Sequence, residues 1–295
     1  MVGFLNGVAT AMITPFDEKG VNLTELGKMI EFQIAGGADA LVILGTTGEP
    51  STMTEDEKTE VIKYSVKKAG GRVKIIIGTG SNDTKKAVAA SVAAQSLGAD
   101  GVLAVTPYYN KCTQEGLYRY YKEICEAVSI PVIAYNVPSR TGVNITPETA
   151  ERLADIPNLA GIKEASGNMA QVCETMRRVR GKIDLYSGED VLNLPILAIG
   201  GAGVISVASN IAPALLKKMY TLVKENKLEE ANEVQDILIP LENACFIEVN
   251  PIPVKAACNF LGFEAGTPRS PLTELEDKNK TILLNAMKKA GLKTI

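Results

Sequence analysis

The chain has 295 residues, 46% of them hydrophobic, enough for a large core in one big domain or two smaller ones. Its 31 basic and 34 acidic side chains leave a net charge of -3, which gives no support for nucleic acid or an anionic membrane as a partner. No histidine is present, so a histidine-based triad, a histidine-ligated zinc and a histidine general base are excluded, and acid–base work falls to Tyr, Lys, Asp, Glu or Cys.

The opening run MVGFLNGVATAMITPF has neither a basic start nor a cleavage-like end, which predicts no signal peptide. Strand-like apolar runs then recur roughly every 30 residues, at 7–16, 40–46, 74–79, 101–107, 131–137, 159–165, 182–188 and 202–208. Several are continuous Val, Ile and Leu, as expected of parallel strands covered on both faces. Two of them share a Gly-Ala-Asp lead, at 37–39 and 98–100, where glycine suits a helix C-terminus. Helix punctuation fills the intervals. Thr54 and Glu57 have capping-box spacing, residues 83–98 form an Ala-rich segment with a Gly stop, and Thr146-Pro147 reads as an N-cap followed by Pro at the first helical position. About eight strand–helix units predict an α/β fold, a (β/α)8 TIM barrel spanning 1–224. A doubly wound sheet is the alternative, but no G-x-G-x-x-G joins a strand to a helix. From 225 to 295 the strands stop. Segments 226–248, 253–262 and 272–291 read as helices of a C-terminal appendix, free to pack on the barrel or on a second subunit. No run reaches the roughly 18 apolar residues of a membrane span. Five scattered cysteines without C-x-x-C spacing fit a reducing cytoplasm, with buried free thiols as the default.

The chemistry is expected at the C-terminal ends of the strands. There stand Thr46 and Thr47, Tyr108 and Tyr109, Tyr135, and Lys163. Lys163 is unusual because it follows Leu159, Ala160 and Ile162 in the stretch LAGIKEASG, and an ammonium is costly to bury. One reading is a rim lysine paired with Glu164. The other is an amine placed for chemistry: Gly161, Lys163 and Ala165 share a face of the strand, and the small neighbours leave room for a long side chain. Tyr135 lies 28 positions earlier, one βα unit away, so its strand should be adjacent. A neutral lysine amine can form a Schiff base with a ketone, and burial or a nearby cation such as Arg140 would help to neutralise it. A phenol and threonine hydroxyls can shuttle the protons, and the amides of the Thr-Thr-Gly turn could hold a carboxylate. Arg140 is either a surface ion-pairing residue or a carboxylate clamp. The Gly-rich segment near residues 198–210 could cradle a phosphate, but the preceding YSGED carries two carboxylates and no cation lies close in sequence.

The motifs GTTGEPSTMTEDEK, VTPYYNKCTQEGLYRYY, PVIAYNVPSRTGVN, GIKEASG and YSGED together resemble the dihydrodipicolinate synthase family, over essentially the whole chain. The lysine and tyrosine motifs are shared with the wider pyruvate-dependent aldolases, including N-acetylneuraminate lyase; the paired threonines and Arg140 favour the synthases. The resemblance implies that Lys163 forms a Schiff base with pyruvate and that Tyr135 donates and accepts protons. Thr46 would relay protons between Tyr135 and Tyr109, with Tyr109 reaching in from a neighbouring subunit. Thr47 and Ile205 would contact pyruvate through their backbone, Gly188 would line the pocket, and Arg140 would bind the carboxylate of aspartate semialdehyde. No metal or organic cofactor is implied. The implied assembly is a homotetramer, a dimer of dimers. In family members inhibited by lysine, the effector site matches Ser51, Glu55, Lys58, Asn82, Lys86 and Tyr108, with His or Glu at the places of Glu55, Lys58 and Lys86. Two of those three are cations here, which predicts weak or absent inhibition. The competing readings are a sugar-acid lyase, a phosphosugar isomerase, which would want a cationic phosphate loop, and a non-catalytic homologue.

Overall fold

The computed structural model describes residues 2–295. Eight parallel strands close into a barrel: β1 (Gly7–Ala11), β2 (Ala40–Ile43), β3 (Lys74–Gly78), β4 (Gly101–Val105), β5 (Val132–Asn136), β6 (Leu159–Glu164), β7 (Asp184–Ser187) and β8 (Gly203–Ser206). Each strand pairs with its sequence neighbours, and β1 closes the ring by pairing with both β8 and β2. The helices α1 (Leu23–Ala35), α2 (Glu55–Ala69), α3 (Thr84–Ser96), α4 (Gln114–Ala127), the short α5 (Pro138–Thr141), α6 (Pro147–Leu153), α7 (Met169–Val179), α8 (Asn193–Ala198) and α9 (Pro213–Lys224) fill the connections. This is a TIM barrel. The strands are almost wholly buried because side chains on one face fill the barrel and those on the other meet the helices.

The helix starts follow from local chemistry. Thr54 and Glu57 form the reciprocal capping box of α2, which stops at the left-handed Gly70. Thr146 accepts from the Thr149 N–H, with Pro147 at the first helical position of α6. The expected strand at 7–16 is shorter, ending at Ala11; past it the Ile13 N–H donates to Asn210 Oδ1 and the Phe16 N–H to the Ala265 carbonyl instead of to a neighbouring strand. Beyond it Phe16–Asp17 pairs instead with Gly20–Val21 as a small antiparallel hairpin.

Three further helices follow: α10 (Leu228–Ala244), α11 (Ile252–Phe260) and α12 (Asp277–Lys289). The first was expected to run to 248, yet it ends at Ala244, and the chain from Phe246 to Asn250 turns across the barrel mouth. Leu238, Leu241 and Val254 belong to the same buried cluster as Val204 and Ile205 on β8.

Candidate active site

The C-terminal mouth of the barrel opens on a cavity of about 560 Å³. Tyr135 and Lys163 enter it from adjacent strands, where they are direct register partners across β5 and β6. The Lys163 Nζ stands 4.2 Å from the centroid of the Tyr135 ring. Lys163 is only 4% exposed. Glu164, the partner of the rim reading, is buried facing the other way, where it accepts from Asn136 Nδ2 and from the Ser166 N–H. Space for the lysine stem comes from the neighbouring strand end: a Cβ added to Gly188 would lie 2.7 Å from Lys163 Cε and 2.8 Å from Cγ.

The electrostatics act on that amine in a definite order. Burial is the largest effect and disfavours the ammonium; Asp190 opposes it, Arg140 reinforces it, and Glu189 opposes it again, leaving Lys163 lowered to about 8. Burial likewise pushes the Tyr135 phenol up to about 12, so it holds its proton at neutral pH and can donate it. Asp190 is fixed in place because its carboxylate accepts from the Val207 and Ala208 N–H groups, just beyond β8, and from Asn193 Nδ2.

Thr46 and Thr47 lie in a tight 3₁₀ turn (Thr46–Gly48) directly after β2, and both line the cavity. Thr46 is exposed toward the mouth; Thr47 is buried and its Oγ1 accepts from Asn250 Nδ2 at 3.0 Å. Arg140, on α5, lines the rim, and its Nη2 donates to the Asn250 backbone carbonyl at 3.4 Å. The structure thus gathers Lys163, Tyr135, Thr46, Thr47, Arg140 and Gly188 around one cavity.

Two expected residues are not among those lining the cavity within this chain, one expected to act through its backbone and the other in a neighbouring subunit. The Ile205 side chain is fully buried beside Ala9 on β8, and it is Val207, two residues on, that lines the cavity. Tyr109 does not reach the cavity within this chain. It is 92% exposed, in a left-handed conformation (φ +69°), and projects into solvent beside Tyr108. The six expected effector residues come from three stretches of the chain, 51–58, 82–86 and 108. Ser51 lies in a 3₁₀ turn, Glu55 and Lys58 pair at 2.7 Å on the first turn of α2, Lys86 is on the first turn of α3, and the Asn82 carbonyl accepts from Asn110 Nδ2, next to Tyr108 and Tyr109.

Sequence reasoning missed two contributions. Residues 246–248, read as the end of a helix, and the two that follow, 249 and 250, form one wall of the cavity. Glu189 and Asp190 were weighed only against a phosphate, although a carboxylate pair directly after a strand end was a signal for the charge environment of Lys163.

Comparison with known proteins decides the lineage. Residues 4–290 match the Dihydrodipicolinate synthetase family. The chain belongs to that family. It is 50% identical to the 4-hydroxy-tetrahydrodipicolinate synthase of Caldicellulosiruptor bescii over 292 residues, 99% of each chain. The dihydrodipicolinate synthase of Thermotoga maritima superposes with a TM-score of 0.96 at 42% identity, covering 98% of this chain and 100% of that one. The family member from Acinetobacter baumannii, solved in complex with pyruvate, gives a TM-score of 0.95 at 42% identity, covering 97% of this chain and 99% of that one. The family match over residues 4–290 includes nearly all of the helical C-terminal part, so the wall at 246–250 is part of the matched chain rather than an addition to it.

Proposed function

We infer that this chain condenses pyruvate with L-aspartate 4-semialdehyde, the 4-hydroxy-tetrahydrodipicolinate synthase reaction of lysine and diaminopimelate biosynthesis. The observation that carries the reading is a buried Lys163, lowered to about 8, poised over the ring of Tyr135. At pH 7 such an amine is neutral in about one molecule in ten, against about one in three thousand for an ordinary lysine. The neutral Nζ attacks the keto carbon of pyruvate. Tyr135, with Thr46 as relay, protonates the oxygen of the carbinolamine, and water leaves to give the imine. Loss of a methyl proton gives the enamine, whose carbon adds to the aldehyde of the second substrate. The amine of that substrate then attacks the imine carbon, closes the ring and releases Lys163. No cofactor takes part.

Arg140 suits the carboxylate of the semialdehyde, since its guanidinium fork matches two oxygens and it stands at the rim of the cavity. Thr47 and the backbone at Ile205 serve the pyruvate end, with Gly188 leaving the space. Tyr109 serves a neighbouring subunit, for which its nearly complete exposure leaves it free. The chain then works as a homotetramer in the cytoplasm, and its free cysteines suit that compartment. Lysine inhibits weakly or not at all, because Lys58 and Lys86 repel a cationic side chain. Sub-millimolar inhibition would contradict this.

The test is borohydride reduction in the presence of pyruvate, with the adduct mapped by mass spectrometry. Modification at Lys163 is expected; an unmodified lysine refutes the reading. A coupled assay with aspartate semialdehyde against N-acetylneuraminate then separates synthase from sugar-acid lyase.

A further inference from the structure

A sealed ion pair reaches the threonine turn from far along the chain. Lys255 on α11 is 0% exposed, and its Nζ lies 2.7 Å from Oε1 of Glu49, itself 3% exposed. The other carboxylate oxygen of Glu49 accepts from the Arg269 backbone N–H at 2.8 Å. Glu49 closes the turn that carries Thr46 and Thr47: its own N–H donates to the Thr46 carbonyl at 3.2 Å. It does so in the left-handed region, at φ +56°, and Leu44 on the other side of the turn is left-handed too, at φ +58°. Two non-glycine residues in that costly conformation bracket Gly45-Thr46-Thr47-Gly48, and such backbone persists only where its surroundings over-determine it. The carboxylate of Glu49 is the anchor on one side of the turn, held on both oxygens by the C-terminal part of the chain.

We propose that Glu49 and Lys255 are positioning residues for the condensation: the buried pair locks the turn so that the Thr46 hydroxyl faces Tyr135 and Thr47 faces the keto acid. Stability alone is a poor account of the pair. The desolvation of two charges roughly offsets their attraction, and an apolar pair of similar volume serves a core as well or better. An apolar pair lacks direction, and direction is what holds a left-handed residue two positions after Thr47. This inference rests on the Schiff-base reading above.

The experiment compares the full-length wild type with Glu49→Leu, Lys255→Met, Glu49→Gln and the double variant Glu49→Leu/Lys255→Met. Three quantities are read: the denaturation midpoint, the rate of borohydride trapping with pyruvate, and kcat and KM for both substrates. Each variant that strands a buried charge has a lowered midpoint. The double variant regains the wild-type midpoint, yet traps pyruvate at least tenfold more slowly and shows kcat reduced at least tenfold, with KM for pyruvate changed less than threefold. A double variant that recovers both midpoint and trapping rate overturns the positioning role. If the double variant does not fold, Glu49→Gln decides, because it keeps the shape and one acceptor; slow trapping supports the proposal and wild-type trapping overturns it. A wild type that gives no adduct at Lys163 sinks the underlying reaction, whereas a wild-type adduct with normal trapping in the variants sinks only the positioning.

Discussion

Two lysines are buried near the mouth of this barrel, and they differ in one respect that decides their use. Lys163 and Lys255 both lie against an aromatic ring, at 4.2 Å from the centroid of Tyr135 and 4.0 Å from that of Phe16. Burial disfavours the ammonium form of both. Lys255 has a carboxylate at 2.7 Å. Lys163 has no ion-pair partner among the described residues; Asp190 and Glu189 act on it only as neighbouring charges, and Arg140 opposes them. A carboxylate in contact turns a buried lysine into a strut. Its absence leaves the amine able to give up its proton within reach of physiological pH.

The sharpest break of this contrast is chemical. Lys163→Met or Lys163→Arg should lower turnover by at least about a thousandfold and abolish the pyruvate–borohydride adduct. The matching change at the other lysine should instead break the fold's energetics. Lys255→Met strands the Glu49 carboxylate and should cost about 3–5 kcal/mol in a denaturant titration, a loss that Lys163→Met should not show. Tyr135→Phe keeps the ring under the amine but removes the proton, and should lower kcat by about a hundredfold or more while trapping at Lys163 remains detectable but slow.

The pH dependence sharpens the comparison further. With Lys163 lowered to about 8, kcat/KM for pyruvate should rise with pH through about 8 as the free amine forms. Arg140 helps to lower that value, so Arg140→Met should move this limb to higher pH in addition to raising KM for the semialdehyde. The stability follows the same proton. Between about 8 and the ordinary 10.5 the unfolded chain binds more protons at this site than the folded one, so stability should rise with pH across that window, and the rise should vanish in Lys163→Met. The smallest effect belongs to the exposed pair Lys58–Glu55. Removing it with Lys58→Ala should change stability by less than about 1 kcal/mol in the same titration.

Much of this was legible before the fold. The barrel strands announce themselves because both faces are covered and several of the runs are continuously apolar. Lys163 stands out because it breaks such a run, and its pairing with Tyr135 follows from one βα repeat. The helix starts at Thr54 and Thr146 were legible because capping is local chemistry. What was not legible depends on long-range geometry. The chain from Phe246 to Asn250 has no periodicity to distinguish it from the end of α10, yet Asn250 ties both Thr47 and Arg140. Glu49 and Lys255 are 206 positions apart, and no local pattern links them. Ile205 shows a different limit: a residue whose role is assigned to its backbone has a side chain that belongs entirely to the core.

The wall at 246–250 and the strut at Lys255 have a consequence for how the molecule is made. On the ribosome, the strand carrying Lys163 emerges some ninety residues ahead of the segment that walls its cavity. Until that segment arrives, the cavity around the Lys163 nitrogen lacks one wall. Under the proposed chemistry, reactivity toward keto acids is then expected only of chains in which residues 246–255 have docked.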